Sequence, residues 1–218
     1  MPLSFEVVRE RCAEILLATP EEQMYADVLD LLLGVFESEF GYFGYINSVG
    51  DLVCPSMTRN IFPACQVPDK DIVFRRANWG GLWGRILTEH RSLIKNEQHQ
   101  VPGGHLPIWR SFGSPILYRS ELIGQFHFAN RATDYTDEDV ALLERTCEFI
   151  APVLNARVRH DEEQHQRARL QDELQAANQQ LRTKVAELER LTAALIDREE
   201  RMIELKAEID RLKSPGPG

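Results

Sequence analysis

The sequence predicts an α+β fold for most of the chain, followed by a long C-terminal helix that forms a coiled coil. The composition changes near residue 156, because every aromatic residue and all but two of the glycines and of the prolines precede it. After it, Glu, Arg, Gln, Leu and Ala predominate, with no helix breaker before Ser214. Helical and strand-like segments alternate in the first part, which indicates a core of mixed α and β structure.

Two helices are predicted at the N-terminal end. The first has an apolar face made by Val8, Cys12, Ile15 and Leu16. Thr19 then provides an N-cap for the second helix, with Pro20 in its first turn and an acidic residue at N3. This second helix is expected to run to about Phe40, where Gly41 ends it.

Strands and two further helices are predicted in the rest of this part. The expected strands are 42–47, 52–57, 92–95, 114–118 and 121–130. A short helix is predicted at 81–89, and a tight turn at Arg119-Ser120 joins the last two strands. Thr136 and the acidic residues after it cap a helix from Val140, which is expected to run through Pro152 into the coil.

The tail carries a seven-residue repeat of apolar side chains. The a positions are Leu174, Leu181, Leu188, Leu195, Met202 and Ile209, and the d positions are Leu170, Ala177, Lys184, Leu191, Arg198, Leu205 and Leu212. A strict period of 3.5 residues is typical of a left-handed coiled coil. A single helix would leave this leucine seam in water, so a homodimer is predicted, with Lys184 and Arg198 reaching out of the seam. The e and g positions have no clear charge code, so parallel and antiparallel pairing both remain open.

Charge and composition exclude several classes of protein. Most of the net charge of −9 belongs to the first part, and an acidic domain repels a phosphate backbone, so nucleic acid is not an expected partner. The four cysteines lack the spacing of a zinc site or a disulfide framework and are predicted to be reduced thiols. The chain has no apolar run long enough to span a membrane, and its N-terminal residues do not form a secretory signal. The predicted location is the cytoplasm.

Several long segments resemble the GAF domain, a small-molecule sensory module related to PAS domains. They are WGGLWGRILTEHRSLIKNE and SFGSPILYRSELIGQFHFANRATDYTDEDVALLERTCEFIAPVL. The segments VPGGHLPIWR and ANRATDY are similar to the subgroup found beside PAS domains in bacterial and archaeal sensor kinases. The tail resembles the signalling helices that link such sensors to their outputs.

The resemblance implies a division of the chain and a layout for the domain. An N-terminal helix occupies 1–19, the GAF domain 20–158, the coiled coil 159–213 and a flexible tail 214–218. The domain is expected to have an antiparallel sheet of five or six strands, with the terminal helices on one face and a ligand pocket on the other. Strand alternation puts Phe126 and Phe128 under the helices and turns Gln125 and His127 toward the pocket.

Seven residues are therefore candidates for lining the pocket, and they are Tyr45, Trp79, Trp83, His105, Trp109, Gln125 and His127. The three tryptophans could form an aromatic lid, or they could be ordinary core and rim residues. His105, in a loop rich in proline and glycine, is either a pocket residue or a latch bonded to its own loop backbone. The latch is the favoured interpretation, with a turn at Pro102-Gly103.

Two known ligand classes of the family fit poorly. The signature of cyclic-nucleotide-binding GAF domains ends in an acid, whereas the matching positions here are Asn130, Arg131, Tyr135, Asp139 and Val140. Arg131 and Asp139 are better explained as a structural ion pair. Bilin-binding GAF domains attach their chromophore at a cysteine usually followed by histidine, and this chain contains no Cys-His dipeptide.

Three other functions remain possible. The first is a haem sensor, whose candidate ligands are His105, His127, His99 and Cys147. The second resembles a free methionine sulfoxide reductase, with Cys54 and Cys65 as the attacking and resolving thiols. The third is a ligand-free scaffold for dimerisation or docking.

The preferred hypothesis is a homodimeric sensory module without enzymatic activity or a metal site. The chain contains no GxSxG, P-loop, HExxH, kinase or cyclase motif. Binding of an unidentified small molecule would change the packing of the C-terminal helices, and the coil would transmit this change to a protein partner such as a kinase. The chain is either a stand-alone sensor or part of a longer protein.

Overall fold

The computed structural model describes residues 4–58, 72–101 and 105–213, in two compact units, 1–162 and 163–218. The helices are α1 (Phe5–Ala18), α2 (Glu21–Val35), α3 (Gly81–Glu89) and α4 (Asp137–Lys213), with a 3₁₀ turn at Arg76–Asn78. The strands are β1 (Phe40–Ile46), β2 (Leu52–Met57), β3 (Val73–Phe74), β4 (Leu93–Lys95), β5 (Ser111–Tyr118) and β6 (Glu121–Ala129). The predicted α+β class is confirmed.

The six strands form one antiparallel sheet in the order β3-β2-β1-β6-β5-β4. The N-terminal strands β1 and β2 and the C-terminal hairpin β5-β6 meet where β1 pairs with β6, at the centre of the sheet. The family-derived expectation of five or six antiparallel strands is therefore confirmed. Strand β3 and the 3₁₀ turn were not predicted, because a strand of two residues and a single helical turn carry no readable periodicity.

One face of the sheet is covered by the terminal helices and contains the main core. The fully buried rings of this core are Phe36, Phe43, Phe112, Phe126 and Phe128. Leu143, Ile150 and Leu154 on the first turns of α4 pack against them, together with the apolar face of α1. The prediction that Phe126 and Phe128 lie under the terminal helices is confirmed.

The boundaries of α2 differ from the prediction at both ends. Pro20 occupies the N-cap, and Thr19 instead ends α1, where its N–H donates to the Ile15 carbonyl. At the other end the helix stops at Val35 rather than Phe40. Glu37 takes a left-handed conformation (φ 48°), its N–H donates to the Gly34 carbonyl, and the N–H of Ser38 donates to the Leu33 carbonyl. These bonds form a Schellman cap, which usually uses glycine and is therefore hard to predict at a glutamate.

Helix α4 begins at Asp137, three residues before the predicted start. Thr136 and Asp139 cap it reciprocally, since each backbone N–H donates to the other's side chain, at 2.7 and 3.3 Å. The helix continues past Pro152, as predicted. This proline is exposed, and so is Glu148 one turn earlier, where water can satisfy the carbonyl that proline leaves unpaired. No helix of the described residues is long and apolar enough to cross a membrane.

The predicted turn at Arg119-Ser120 is present between β5 and β6. Both residues have positive φ angles, 51° and 69°, as the two central positions of a type I′ turn require. Neither side chain is of a type that favours this conformation, so the turn contains backbone strain.

Replacing Ser120 by glycine is therefore expected to stabilise the first unit by about 0.5–1 kcal/mol, because glycine adopts positive φ without a steric penalty. Urea unfolding followed by tryptophan fluorescence measures the change. The matched control is Ala132→Gly, at an exposed position with negative φ, where glycine should lower stability. Equal effects of the two substitutions would contradict the assignment of strain to Ser120.

Candidate functional site

The second face of the sheet carries a group of aromatic rings that we call the aromatic face. It consists of Tyr42, Phe74, Trp79, Trp83 and His127. Each of these side chains keeps part of its surface exposed, whereas the phenylalanines of the opposite core are fully buried. This difference marks the aromatic face as the candidate ligand site, on the side of the sheet where the pocket was expected.

Helix α3 is held against this face by packing and by one glutamine. Its buried side chains are Ile86 and Leu87. The Gln125 amide donates from Nε2 to the Trp83 carbonyl (3.0 Å), and its Oε1 accepts from the Tyr42 hydroxyl (3.2 Å). Gln125 is completely buried, so it fixes the relative positions of β1, β6 and α3.

His127 is the polar group of this face whose hydrogen bonding is incomplete. Its ring stacks on Tyr42, with centroids 5.6 Å apart and planes inclined by 15°. The Nδ1 atom is buried without a hydrogen-bond partner among the described residues. Burial, followed by the charge of nearby His99, lowers the pKa of His127 to about 3, so the imidazole is neutral at physiological pH.

His99 lies at the edge of the same region. Its Nε2 is 3.1 Å from the Ser111 hydroxyl, and its backbone N–H donates to the Ile108 carbonyl. Burial and the charge of Lys95 lower the pKa of this histidine below its ordinary value. His99 therefore has a structural partner and positions the start of β5.

His105 is exposed, and its Nδ1–H donates to the Leu106 carbonyl at 2.7 Å. The predicted loop latch is thus confirmed, while the proposed turn at Pro102-Gly103 lies outside the described residues. The side chain of Asn130 holds the same loop from the other side. Its Nδ2 donates to the Pro107 carbonyl and its Oδ1 accepts from the backbone N–H of Trp109, both at 2.9 Å. The Trp109 ring itself is about half exposed.

The structure brings together only part of the predicted set. Trp79, Trp83, Gln125 and His127 share one face, but Tyr45 lies on the other. Its ring packs on Tyr25 of α2, at 5.7 Å between centroids, beside the helix-side core. The prediction placed Tyr45 on the wrong face, because the strand FGYFGYI carries aromatic residues on both of its faces.

Tyr42 is the site residue that the sequence analysis missed. It lies three positions before Tyr45, an odd spacing that puts the two tyrosines on opposite faces of β1. The useful signal was pairing with β6, in which Tyr42 lies directly opposite His127. Alternation within β6 was sufficient to assign Gln125 and His127 to one face of the sheet. The pairing of β1 with β6 cannot be read from the sequence of either strand alone.

The three described cysteines are buried free thiols, as predicted. Cys12 and Cys147 belong to the helix-side core, and burial raises the pKa of Cys12 to about 11 and that of Cys147 to about 12. Cys147 is therefore too far behind the sheet to serve as a haem ligand at the aromatic face. Cys54 is on the aromatic side, where burial raises its pKa even further. Cys65 lies outside the described residues.

These thiols are expected to be unreactive in the folded protein. At pH 8, a cysteine with a pKa of about 11 is only about one part in a thousand thiolate, and the thiolate is the nucleophile. In a Cys65→Ser variant, Ellman's reagent should label Cys12, Cys54 and Cys147 only after denaturation. Rapid labelling of native Cys54, identified by mass spectrometry, would contradict its burial. A Cys54→Ser variant is the control.

Arg131 and Asp139 form an ion pair, with 2.8 Å between Nη1 and Oδ2, as expected from the sequence. The arginine also lies over the Tyr135 ring, and the Tyr135 hydroxyl is 2.8 Å from Ser38 Oγ. The pair therefore joins the start of α4 to the end of β6 and has a structural role. Among the described residues, no group of three or more His, Cys, Asp or Glu side chains could hold a metal ion.

Comparison with known proteins supports one family. A family model described as GAF domain matches residues 18–155. The solved GAF domain of a phosphoenolpyruvate-protein phosphotransferase (ptsP) from Coxiella burnetii is 16% identical, with a TM-score of 0.58, covering 73% of this chain and 96% of that one. The corresponding Acinetobacter domain is 12% identical, with a TM-score of 0.54, covering 69% and 92%.

A third similar structure is the reduced form of fRMsr of Staphylococcus aureus, at 16% identity and a TM-score of 0.53, covering 70% of this chain and 96% of that one. No curated protein sequence matches significantly. At these identities the structural likeness shows the fold, while the family model covers more than half of the sequence. The chain belongs to the GAF domain family.

Proposed function

We propose that this protein is a non-enzymatic, homodimeric sensory module that transmits a binding event at the aromatic face through its C-terminal helix. The single observation that carries the proposal is α4 itself. Its first turns provide core residues of the GAF domain, including Leu143 and Ile150, and the same helix goes on to residue 213. Its later turns expose large apolar side chains, which favours pairing with a second copy.

The proposed dimer uses the heptad residues predicted from the sequence. Leu170, Leu174, Leu181, Leu188, Leu191, Leu195, Met202, Leu205 and Ile209 all have about half or more of their surface exposed in the single chain. Such a row is costly in water and is buried when two helices pair. Leu212 belongs to the same series, and its side chain lies outside the described part. The protein partner downstream, for example a kinase, would read the packing of this coil.

Native mass spectrometry of the purified full chain tests both halves of the proposal. The expected species has twice the 25.0 kDa chain mass and retains a small molecule acquired during expression. Spin labels on Arg190→Cys, at an outer c position of the coil, should then report different interchain distances before and after the molecule is removed. Identical distances would favour the ligand-free scaffold, and a monomeric mass would contradict the dimer.

The alternative of a thiol enzyme is supported by the similarity to the Staphylococcus aureus fRMsr and opposed by the state of Cys54. A catalytic thiol must be accessible and readily ionised, whereas burial keeps Cys54 protonated. We expect no reduction of free methionine-R-sulfoxide with dithiothreitol as the reductant. Turnover that disappears in Cys65→Ser would overturn the non-enzymatic assignment.

A further inference from the structure

We propose that His127 is a hydrogen-bond donor, through Nε2–H, to an uncharged planar ligand that stacks on the aromatic face. This inference rests on the proposed function, because it specifies the ligand class of the same site. It assigns to His127 the recognition of an acceptor atom, such as a ring carbonyl or ring nitrogen. It also excludes His127 as a haem ligand and an anionic group as the part of the ligand that contacts it.

The tautomer follows from the surroundings of the two ring nitrogens. Nδ1 is enclosed and has no partner among the described residues, whereas Nε2 is not enclosed and the side chain is only partly buried. A buried N–H without an acceptor is more unfavourable than a buried lone pair without a donor. The proton of the neutral ring therefore belongs on Nε2, which leaves a donor directed at the open side.

Ligation of iron requires the opposite arrangement. A histidine that binds a metal through Nε2 holds its proton on Nδ1 and almost always donates it to a carboxylate, a carbonyl or water. No such acceptor is hydrogen-bonded to Nδ1 of His127 among the described residues. A side chain at Gly113 of β5 could not supply the acceptor either, since a Cβ there would lie 2.9 Å from Nδ1.

The neutral state of His127 restricts the ligand further. Burial and His99 lower the pKa of His127, and burial and the Cys54 thiol raise that of Tyr42; no described carboxylate, ammonium or guanidinium contributes to either shift. Among the described residues, Arg76 lies over the Trp79 ring and Lys95 is beside His99, and neither contacts His127. An anion against His127 would lose water without gaining a counter-charge.

The neighbouring rings favour a flat molecule. His127, Tyr42 and Phe74 lie in a row with nearly parallel planes, at 15° and 20° between successive rings. Trp83 meets Phe74 edge to face, with centroids 5.5 Å apart. A planar ring system can stack on Tyr42 or Phe74 while its acceptor atom meets the Nε2–H in the plane of the imidazole. Gln125 is already bonded at both ends of its amide, so His127 is left to provide the polar contact.

The first test is the tautomer of His127, measured by long-range proton–nitrogen NMR of the full chain between pH 5 and 8. The expected spectrum shows Nε2–H for His127 without titration, and the opposite tautomer for His105, whose Nδ1–H is bonded to Leu106. His127→Phe and His105→Phe assign the two signals. An Nδ1–H tautomer, or protonation of His127 above pH 6, would overturn the proposal.

The second test uses coumarin as the probe, since it is planar, uncharged and carries a carbonyl acceptor. Coumarin should shift the indole signals of Trp83 and the His127 signal. Coumarin-3-carboxylate should bind at least tenfold more weakly, and His127→Phe should weaken coumarin at least fivefold, whereas His105→Phe leaves it unchanged. Equal or tighter binding of the carboxylate overturns the proposal, as does full affinity in His127→Phe or no coumarin binding up to its solubility.

Ferric haem is the third probe, because it distinguishes a donor from an axial ligand. A Soret band in the wild-type protein that disappears in His127→Phe would make this residue an iron ligand and overturn the proposal. We expect either a Soret band in both proteins or a Soret band in neither. Native mass spectrometry of the same samples separates the two levels of inference. If the dimer is present and the probes fail, only the ligand class is wrong, whereas a monomer contradicts the proposed function.

Discussion

Leu188→Pro is expected to convert the proposed dimer into monomers at micromolar concentration. Leu188 occupies an a position near the middle of the predicted seam, and its side chain is 62% exposed in the single chain. Proline there removes one backbone N–H and clashes with the carbonyl of Lys184, which costs about 3 kcal/mol in each helix. Both helices of the dimer carry the substitution and their costs add, so the dissociation constant should rise by roughly four orders of magnitude.

A variant that preserves the helix separates seam contacts from helix breaking. Leu188→Glu keeps helix propensity but puts two carboxylates at the interface and removes about 2 kcal/mol of apolar burial per chain. The dissociation constant should then rise about a thousandfold. The control is Arg190→Glu, at an outer c position of the same turn, which should leave the dimer intact.

Small-angle scattering and sedimentation measure the oligomeric state of all three variants, and circular dichroism reports their helix content. A dimer that persists unchanged in Leu188→Pro and Leu188→Glu would place the interface in the first unit, which contains the GAF domain and which we call the GAF unit, instead of the coil. Dissociation by Arg190→Glu would mean that the seam has a different register from the one predicted.

Much of the fold could be predicted because its elements have clear periodicity and local signals. The limits of β2 and α3 were correct to the residue, and the Arg119-Ser120 turn joined the predicted pair of strands. The errors occur where a tertiary contact or an unusual backbone decides the outcome. Helix α2 ends five residues early because Glu37 adopts a conformation that sequence reasoning assigns to glycine.

The site could be predicted only in part, for a different reason. In β6 the apolar and polar residues alternate, so the faces of Phe126 and His127 could be assigned from sequence. In β1 the aromatic residues occupy both faces, and only pairing with β6 shows that Tyr42, and not Tyr45, is next to His127. The missing hydrogen-bond partner of Nδ1 likewise depends on what packs around the ring.

Phe126→Ala should cause the largest loss of stability of any single substitution discussed for the GAF unit. The ring is completely buried and stacks on Phe43, with 4.2 Å between centroids and 27° between planes. Removing a fully buried phenylalanine leaves a cavity and costs about 3–5 kcal/mol. A domain has only about 5–15 kcal/mol of stability, so this loss should lower its unfolding temperature by roughly 10 °C or more.

Urea unfolding followed by tryptophan fluorescence measures this loss in the right unit, because Trp79, Trp83 and Trp109 all precede α4. Phe126→Leu retains much of the buried volume and should cost roughly 1–2 kcal/mol, so a folded variant remains if the alanine protein does not fold. Val49→Ala, at a side chain that is 76% exposed in the β1–β2 turn, is the control and should change stability by less than about 0.5 kcal/mol. Similar losses in Val49→Ala and Phe126→Ala would contradict a core centred on the β1–β6 pair, since burial is the difference on which the prediction depends.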